Sequence, residues 1–169
     1  CVKGETTGCC SARLSGGSAA TDEPVSNPST GAKTMSTRST VVFVNTAFGN
    51  RQKVCAVYQH HDGYLSGVGK ELAEFCDGIL MVNGLSSLQP KSIANGCGCL
   101  AAQFIAKFKA GAGGLYMVPV GDPGEEYVYV VEADTELIRI TAETGGETLF
   151  SGSPANMLAF IADSADSDD

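Results

Sequence analysis

The sequence predicts an α+β fold: a mainly antiparallel sheet, made of an N-terminal hairpin and a C-terminal four-strand meander, covered by about three helices and preceded by an extended arm. Three observations lead there. Two β-branched and aromatic runs flank Gly49-Asn50, a dipeptide suited to a tight turn. Apolar residues recur at helical spacing in three stretches, near 68–76, 99–109 and 154–161. Between the second and third of these lie four short strand-like runs punctuated by Gly, Pro and Asp.

Residues 1–38 are almost entirely small or polar, with Val2, Leu14, Val25 and Met35 as isolated larger apolar side chains. Fixing a backbone costs roughly 1–2 kcal/mol per residue, and this segment has too little apolar surface to offset that cost by itself. The arm is therefore expected to be disordered alone and to gain order against a neighbouring copy of the chain, with Cys1, Cys9 and Cys10 available for a covalent link. The chain opens on Cys1 rather than Met, which reads as a processed or partial product, and Met35 heads a segment that resembles a translation start. The arm is rich in Ser and Thr, carries Pro24 and Pro28, and has its one N-x-S motif spoiled by Pro28. Any glycan on it is expected to be O-linked.

From residue 39 the pattern is that of one domain, running to about 163, with an acidic tail over 164–169. Thr40-Val-Val-Phe-Val-Asn-Thr46 and Lys53-Val-Cys-Ala-Val-Tyr-Gln59 are the hairpin strands. With Gly49-Asn50 as the turn, partner numbers sum to 99: Val42 faces Val57, and Val44 faces Cys55. Both faces of the hairpin are apolar, which places it centrally in the sheet. A glycine-punctuated loop, 63–69, leads into a helix over 70–76 with Val68, Leu72, Phe75 and Cys76 inward, ended by Gly78 in a left-handed conformation. Residues 79–96 read as a long connection. A second helix over 99–109 turns Leu100, Phe104, Ile105 and Phe108 inward. The strands of the meander are 115–120, 126–131, 137–141 and 148–150. Ser153-Pro154 then supplies an N-cap and a first-turn proline for a last helix packed through Met157, Leu158, Phe160 and Ile161.

Composition narrows the function. The net charge is −8 with a pI near 4.7, and the eleven Lys and Arg residues are scattered. Phosphate backbones are held by clustered cations, so no nucleic-acid partner is expected. No apolar run approaches the ~20 residues of a membrane-spanning helix. Cys97-Gly-Cys99 is too tight for a C-x-x-C zinc half-site and has no second half-site. Adjacent histidines on a strand point to opposite faces, so His60 and His61 make a poor chelate together. Neither a metal nor a cofactor is expected. The glycine loop lacks the Lys-Ser/Thr of a phosphate-binding loop, and its Tyr64 and Leu65 read as packing residues of a compact Ω-type turn.

The densest polar cluster is His60-His61-Asp62-Gly63-Tyr64. In the hairpin register above, Arg38 and Ser39 lie opposite His61 and His60, which gathers Arg38, Ser39, His60, His61, Asp62 and Tyr64 at one open end of the ladder, with Ser66 close behind. Imidazoles beside a guanidinium and a carboxylate can hold an anion or move a proton. The plainer reading of the same residues is an Arg38–Asp62 ion pair with the histidines capping the strand end.

Met35-Ser-Thr-Arg-Ser-Thr40, His60-His-Asp-Gly-Tyr-Leu-Ser-Gly-Val-Gly69 and Glu71-Leu-Ala-Glu-Phe75 resemble a family of small proteins of phages and large DNA viruses, whose members begin M-x-T-R-S/C and carry a Y-x-H-W-D-G-Y-P element. His61 stands where that element has tryptophan, and Leu65 where it has proline. The segments 95–103, 126–129 and 150–154 also fit the larger members. The resemblance covers about 36–162, leaves the arm outside, and implies a shared fold without implying a reaction.

Three functions follow from these features. The leading one is a non-enzymatic structural subunit of a homomeric assembly, an extracellular filament or virion component, with the arm on a neighbouring subunit. The alternative is a small-ligand or partner-binding module at the Arg38/His60/Asp62 end of the hairpin. The third is a cofactor-independent enzyme at that same place.

Overall fold

In the computed structural model of the chain, residues 36–84, 92–121 and 125–165 are described, all within the compact unit Thr34–Asp169. The arm with Cys1, Cys9 and Cys10, its Ser and Thr positions, and the last four residues of the acidic tail lie outside the described residues.

The fold is α+β. Strand β1 (Ser39–Asn45) pairs antiparallel with β2 (Gln52–Gln59), then helix α1 (Lys70–Asp77) follows. A short parallel pair, β3 (Leu80–Val82) and β4 (Ile93–Asn95), precedes α2 (Gly96–Phe108). Strands β5 (Leu115–Val118), β6 (Tyr127–Ala133), β7 (Ile138–Thr144) and β8 (Glu147–Gly152) lead to α3 (Pro154–Ala165). The six long strands form one sheet in the order β5-β2-β1-β6-β7-β8, antiparallel at every pair except β1–β6.

Two expectations about the sheet need correction. The four-strand meander is a three-strand one, because β5 leaves it to cap the far edge, pairing Ala56 with Val118 and Gln59 with Leu115. Its partner vacancy on β6 is filled by β1, whose seven residues all pair in parallel from Ser39↔Tyr127 to Asn45↔Ala133. The hairpin register also shifts. Partners sum to 98 from Ser39↔Gln59 to Phe43↔Cys55, and to 97 at Val44↔Lys53. The connection is wider than a two-residue turn, since a single 3₁₀ turn at Ala47–Gly49 places both Phe48 (φ 59°) and Gly49 (φ 75°) in the left-handed region. A bulge at Val54 then takes up the odd residue.

Alternation divides the sheet's residues between two faces. Val41, Phe43, Val57, Tyr129, Val131, Ile140 and Ala142 are fully or almost fully buried with Leu72, Leu100, Phe104 and Met157 of the helices. Phe104 anchors this core, 5.5 Å from Phe43, 5.7 Å from Phe75 and 4.6 Å from Phe108 by ring centroid. Val42, Val44 and Ala56, with Val118, Val128 and Val130, form a separate cluster on the other face. Apolar residues on both faces are why β1 and β2 sit inside the sheet.

The helix ends show which local signals were sound. Ser153 caps α3 through its hydroxyl, which accepts from the Asn156 amide at 3.3 Å, and Pro154 occupies the first turn. Met157 and Ile161 are buried, Leu158 is half-buried, and Phe160 lies outside against Phe150. Gly78 ends α1 at φ −80°, not in the left-handed conformation expected. The connection 79–96 contains β3 and β4, three residues each, which are too short to announce themselves by periodicity.

Candidate functional site

The loop after β2 is built by close backbone approaches. Asp62 has a φ of 55°, and its carbonyl accepts from the Val68 amide at 2.8 Å. A single π-type turn at Leu65–Gly69 then runs into α1. A Cβ at Gly63 would lie 2.6 Å from the Arg38 carbonyl carbon, and one at Gly67 would lie 2.2 Å from the Asp62 oxygen. Both glycines are therefore packing necessities. The Gly63 amide donates to Thr37 at 2.9 Å, the Tyr127 amide donates to Arg38 at 3.3 Å, and the Tyr129 hydroxyl donates to the Gly63 carbonyl at 2.8 Å. The loop is thus clamped through its backbone between the start of β1 and the middle of β6; of the two side chains expected to pack, Leu65 is half-buried against the core, whereas Tyr64 is 40% exposed.

These clamps sort the expected cluster into separate places. Arg38 and His60 line one cavity of about 440 Å³, together with Ser36, Glu125 and Glu126. His61 faces a different cavity of about 220 Å³ with Gln59 and Phe108. Tyr64 and Ser66 border a third space, of about 390 Å³, against Tyr127 and Ile161. Ser39 is fully buried and pairs with Gln59, so it does not stand opposite His60 at a pocket mouth. The one-residue register shift accounts for that difference.

Asp62 accepts from the Tyr64 hydroxyl at 3.2 Å, and the carboxylate's charge raises that phenol above its ordinary value. No ion pair joins Asp62 to Arg38; the pairs among the described residues are Arg51–Glu132 and Lys70–Glu74. The plainer reading of the cluster as an Arg38–Asp62 pair is overturned by this geometry.

Hydrogen bonds hold the two imidazoles. The Nδ1 of His60 lies 2.7 Å from the Tyr58 hydroxyl, and its backbone amide donates to Gly114 at 3.0 Å. The His61 ring stands edge-on to that of His60 at 4.5 Å between centroids. Ser36 donates its hydroxyl proton to the His60 carbonyl and lies 2.9 Å from Nδ1 of His61.

Sequence reasoning missed Ser36, Tyr58, Glu125 and Glu126. Tyr58 was legible, since it sits two residues before His60 on one strand face. The glutamates were not, because only the parallel β1–β6 pairing brings residues 125 and 126 beside Arg38.

Four of the seven cysteines lie among the described residues. Cys55, Cys76, Cys97 and Cys99 are free thiols. Burial, reinforced by neighbouring thiols, pushes Cys76 up to about 12 and Cys97 up to about 11. Among the described residues no group of three or more His, Cys, Asp or Glu side chains gathers as a metal ion requires, and no helix is long and apolar enough to cross a membrane. No protein-family model matches the chain, and no curated protein or solved structure shows significant similarity to it.

Proposed function

We propose that the folded unit is a small-ligand-binding module whose ligand carries both a positive and a negative charge, in the manner of a free amino acid. The observation that carries this reading is one cavity lined by a guanidinium, Arg38, and by two carboxylates, Glu125 and Glu126, with no ion pair between them. Opposite charges that face one space without touching complement a ligand that bridges them: a carboxylate toward Arg38, where bidentate hydrogen bonding is available, and an ammonium toward the glutamates. Ser36 and His60 add hydrogen-bonding groups to the same wall. The test is a nuclear magnetic resonance titration with free amino acids, with acetate and ethylamine as single-charge comparisons. Saturable shifts at Arg38, His60 and Glu126 with an amino acid, lost in Arg38→Ala, are expected. Equal responses to all three probes, or none, would remove the reading.

A second reading, the subunit of a homomeric assembly, draws on a different feature. Strand β5 is a sheet edge, and its Tyr116 and Met117 are 50% and 60% exposed. An open edge with apolar side chains is a template for pairing with another chain. Concentration-dependent mass by light scattering, reduced by Met117→Lys, is the result this reading requires. The part assigned to the arm, its cysteines and O-linked sugar lies outside the described residues.

A further inference from the structure

His60 lines the cavity of about 440 Å³ beside Arg38, whereas Tyr58 lies behind it, with its hydroxyl 2.7 Å from Nδ1 of His60. Residues two apart on an extended chain share a face, and β2 ends one residue before His60, so the strand itself sets this contact. With Nδ1 engaged, the nitrogen left for a ligand is Nε2. Both rings are held where they are. Tyr58 packs on Tyr116, its register partner on β5, at 6.0 Å between ring centroids. Lys109 stands over Tyr116 at 5.3 Å, and its Nζ donates to the carbonyls of Gly113 and Leu115, both at 2.8 Å. His60 is tied by its amide to the Gly114 carbonyl at 3.0 Å, and the His61 ring lies against it at 4.5 Å.

The direction of the Tyr58–His60 bond decides what the imidazole offers. Among the described residues, Nδ1 is the hydrogen-bond partner of this hydroxyl. A phenol is a stronger proton donor than a neutral imidazole N–H, and a bare imidazole nitrogen is a stronger acceptor than a phenol oxygen. The bonding proton therefore belongs to Tyr58 and points at Nδ1. A neutral imidazole has one N–H, so that of His60 falls on Nε2. Turning the ring over would exchange this bond for a C–H facing the phenol oxygen.

We infer that Tyr58 is a positioning residue of the charged-ligand site: its hydroxyl holds neutral His60 with the proton on Nε2, so that His60 presents a donor to the ligand's carboxylate alongside Arg38. A guanidinium fork and a single N–H then face the negative end, and Glu125 and Glu126 face the positive one. The same bond leaves the nitrogen on offer without a lone pair to take up a proton, which favours holding a carboxylate over general-base work at this place. The identity of the ligand rests on the charged-ligand reading, whereas the state of His60 can be read with no ligand present.

Nitrogen-15 correlation spectra of the full chain, in mildly alkaline buffer where imidazoles are neutral, report which ring nitrogen carries the proton. His60 is expected in the Nε2–H form in the wild-type chain and as a mixture of both forms in Tyr58→Phe, with the His61 tautomer unchanged. The Nδ1–H form in the wild-type chain, which needs no variant to observe, or a His60 spectrum that Tyr58→Phe does not move, would overturn the inference. Amino-acid titrations then read the consequence. Tyr58→Phe should weaken binding roughly fivefold, the scale of one hydrogen bond. His60→Gln keeps an N–H near the place of Nε2 and has no tautomer to set, so in that background Tyr58→Phe should cost nothing further. Equal binding by the wild-type and Tyr58→Phe chains would remove the positioning role. If no amino acid binds while His60 shows the Nε2–H form, the charged-ligand reading fails and takes the ligand contact with it, and the Tyr58–His60 assignment stands on the spectrum alone.

Discussion

The Tyr129 hydroxyl donates to the carbonyl of Gly63 across 66 residues of chain, at 2.8 Å and fully buried. Burial, with the Tyr127 phenol beside it, raises the Tyr129 hydroxyl far above its ordinary value, so it remains a donor throughout the neutral range. The bond ties the centre of β6 to the loop that carries His60, His61 and Asp62. Tyr129→Phe keeps the ring but leaves a carbonyl unpaired, so it should cost about 1–3 kcal/mol in denaturant melts. Faster hydrogen exchange at the Gly63 and Val68 amides should accompany the loss. Unchanged exchange there would mean that the loop holds itself.

Two glycine substitutions should have opposite signs. At Gly63 a methyl group would press on the Arg38 backbone at 2.6 Å, where no side chain can move aside. Gly63→Ala should therefore destabilise by about 1–3 kcal/mol, the usual range for overpacking. Gly98 lies inside α2 with open space around a Cβ. Gly98→Ala should stabilise by roughly 0.5–1 kcal/mol, because alanine loses less backbone freedom in a helix. A melt in which both variants lose stability would contradict the assignment of Gly98 to open space.

Local signals were legible in the sequence and long-range pairings were not. Ser153-Pro154 and the helix faces through Leu72 and Phe104 act within a few residues, and each appears where expected. The partner of β1 on its second side is 88 residues away at Ser39↔Tyr127, the difference between 127 and 39, and nothing in either strand's alternation distinguishes β6 from β5. The candidate site inherited that difficulty. Arg38 and His60 were brought together by the hairpin, which is local, whereas Glu125 and Glu126 arrive through the parallel pairing. Ser39 was placed in the site by a register one residue out, which a bulge at Val54 and a wide turn at Phe48 produced together.

The buried thiols give the stability a pH dependence of definite sign. Cys76 and Cys97 keep their protons in the folded state to about 12 and about 11, while unfolded thiols release theirs near 9.0. Below 9.0 both states hold the protons and these groups contribute no slope. Above it the unfolded state holds fewer, so stability falls as pH rises from 9 toward 12. Melts across that interval should show the decline, and a Cys76→Ala, Cys97→Ala double variant should show a shallower one. Both thiols should resist iodoacetamide in the native chain and react once it is unfolded, since the thiolate is the nucleophile. Rapid alkylation of Cys76 in the native chain would place it outside the core.

The last prediction concerns where the folded unit begins. Three hydrogen bonds anchor the residues just before β1: the Ser36 hydroxyl to the His60 carbonyl, the Gly63 amide to the Thr37 carbonyl, and the Tyr127 amide to the Arg38 carbonyl. All three lie after Met35. A chain starting at Met35 keeps each of them, so it should melt in one cooperative step within a few degrees of the full chain. A chain starting at Thr40 loses all three, together with the pairing of Ser39 to both Gln59 and Tyr127. At about 1 kcal/mol for a typical hydrogen bond it should be destabilised by roughly 3 kcal/mol or more. It should also lose the chemical-shift dispersion of His60 and His61, which the anchors hold in place. The comparison separates two organisations cleanly. If the chain from Met35 is unfolded or molten, residues 1–34 belong to the core and the division of the protein into arm and domain is wrong. If both truncated chains melt like the full one, the anchors at 36–38 contribute nothing and the loop carrying the histidines is held by its other bonds, from Tyr129 to Gly63 and from His60 to Gly114 and Tyr58.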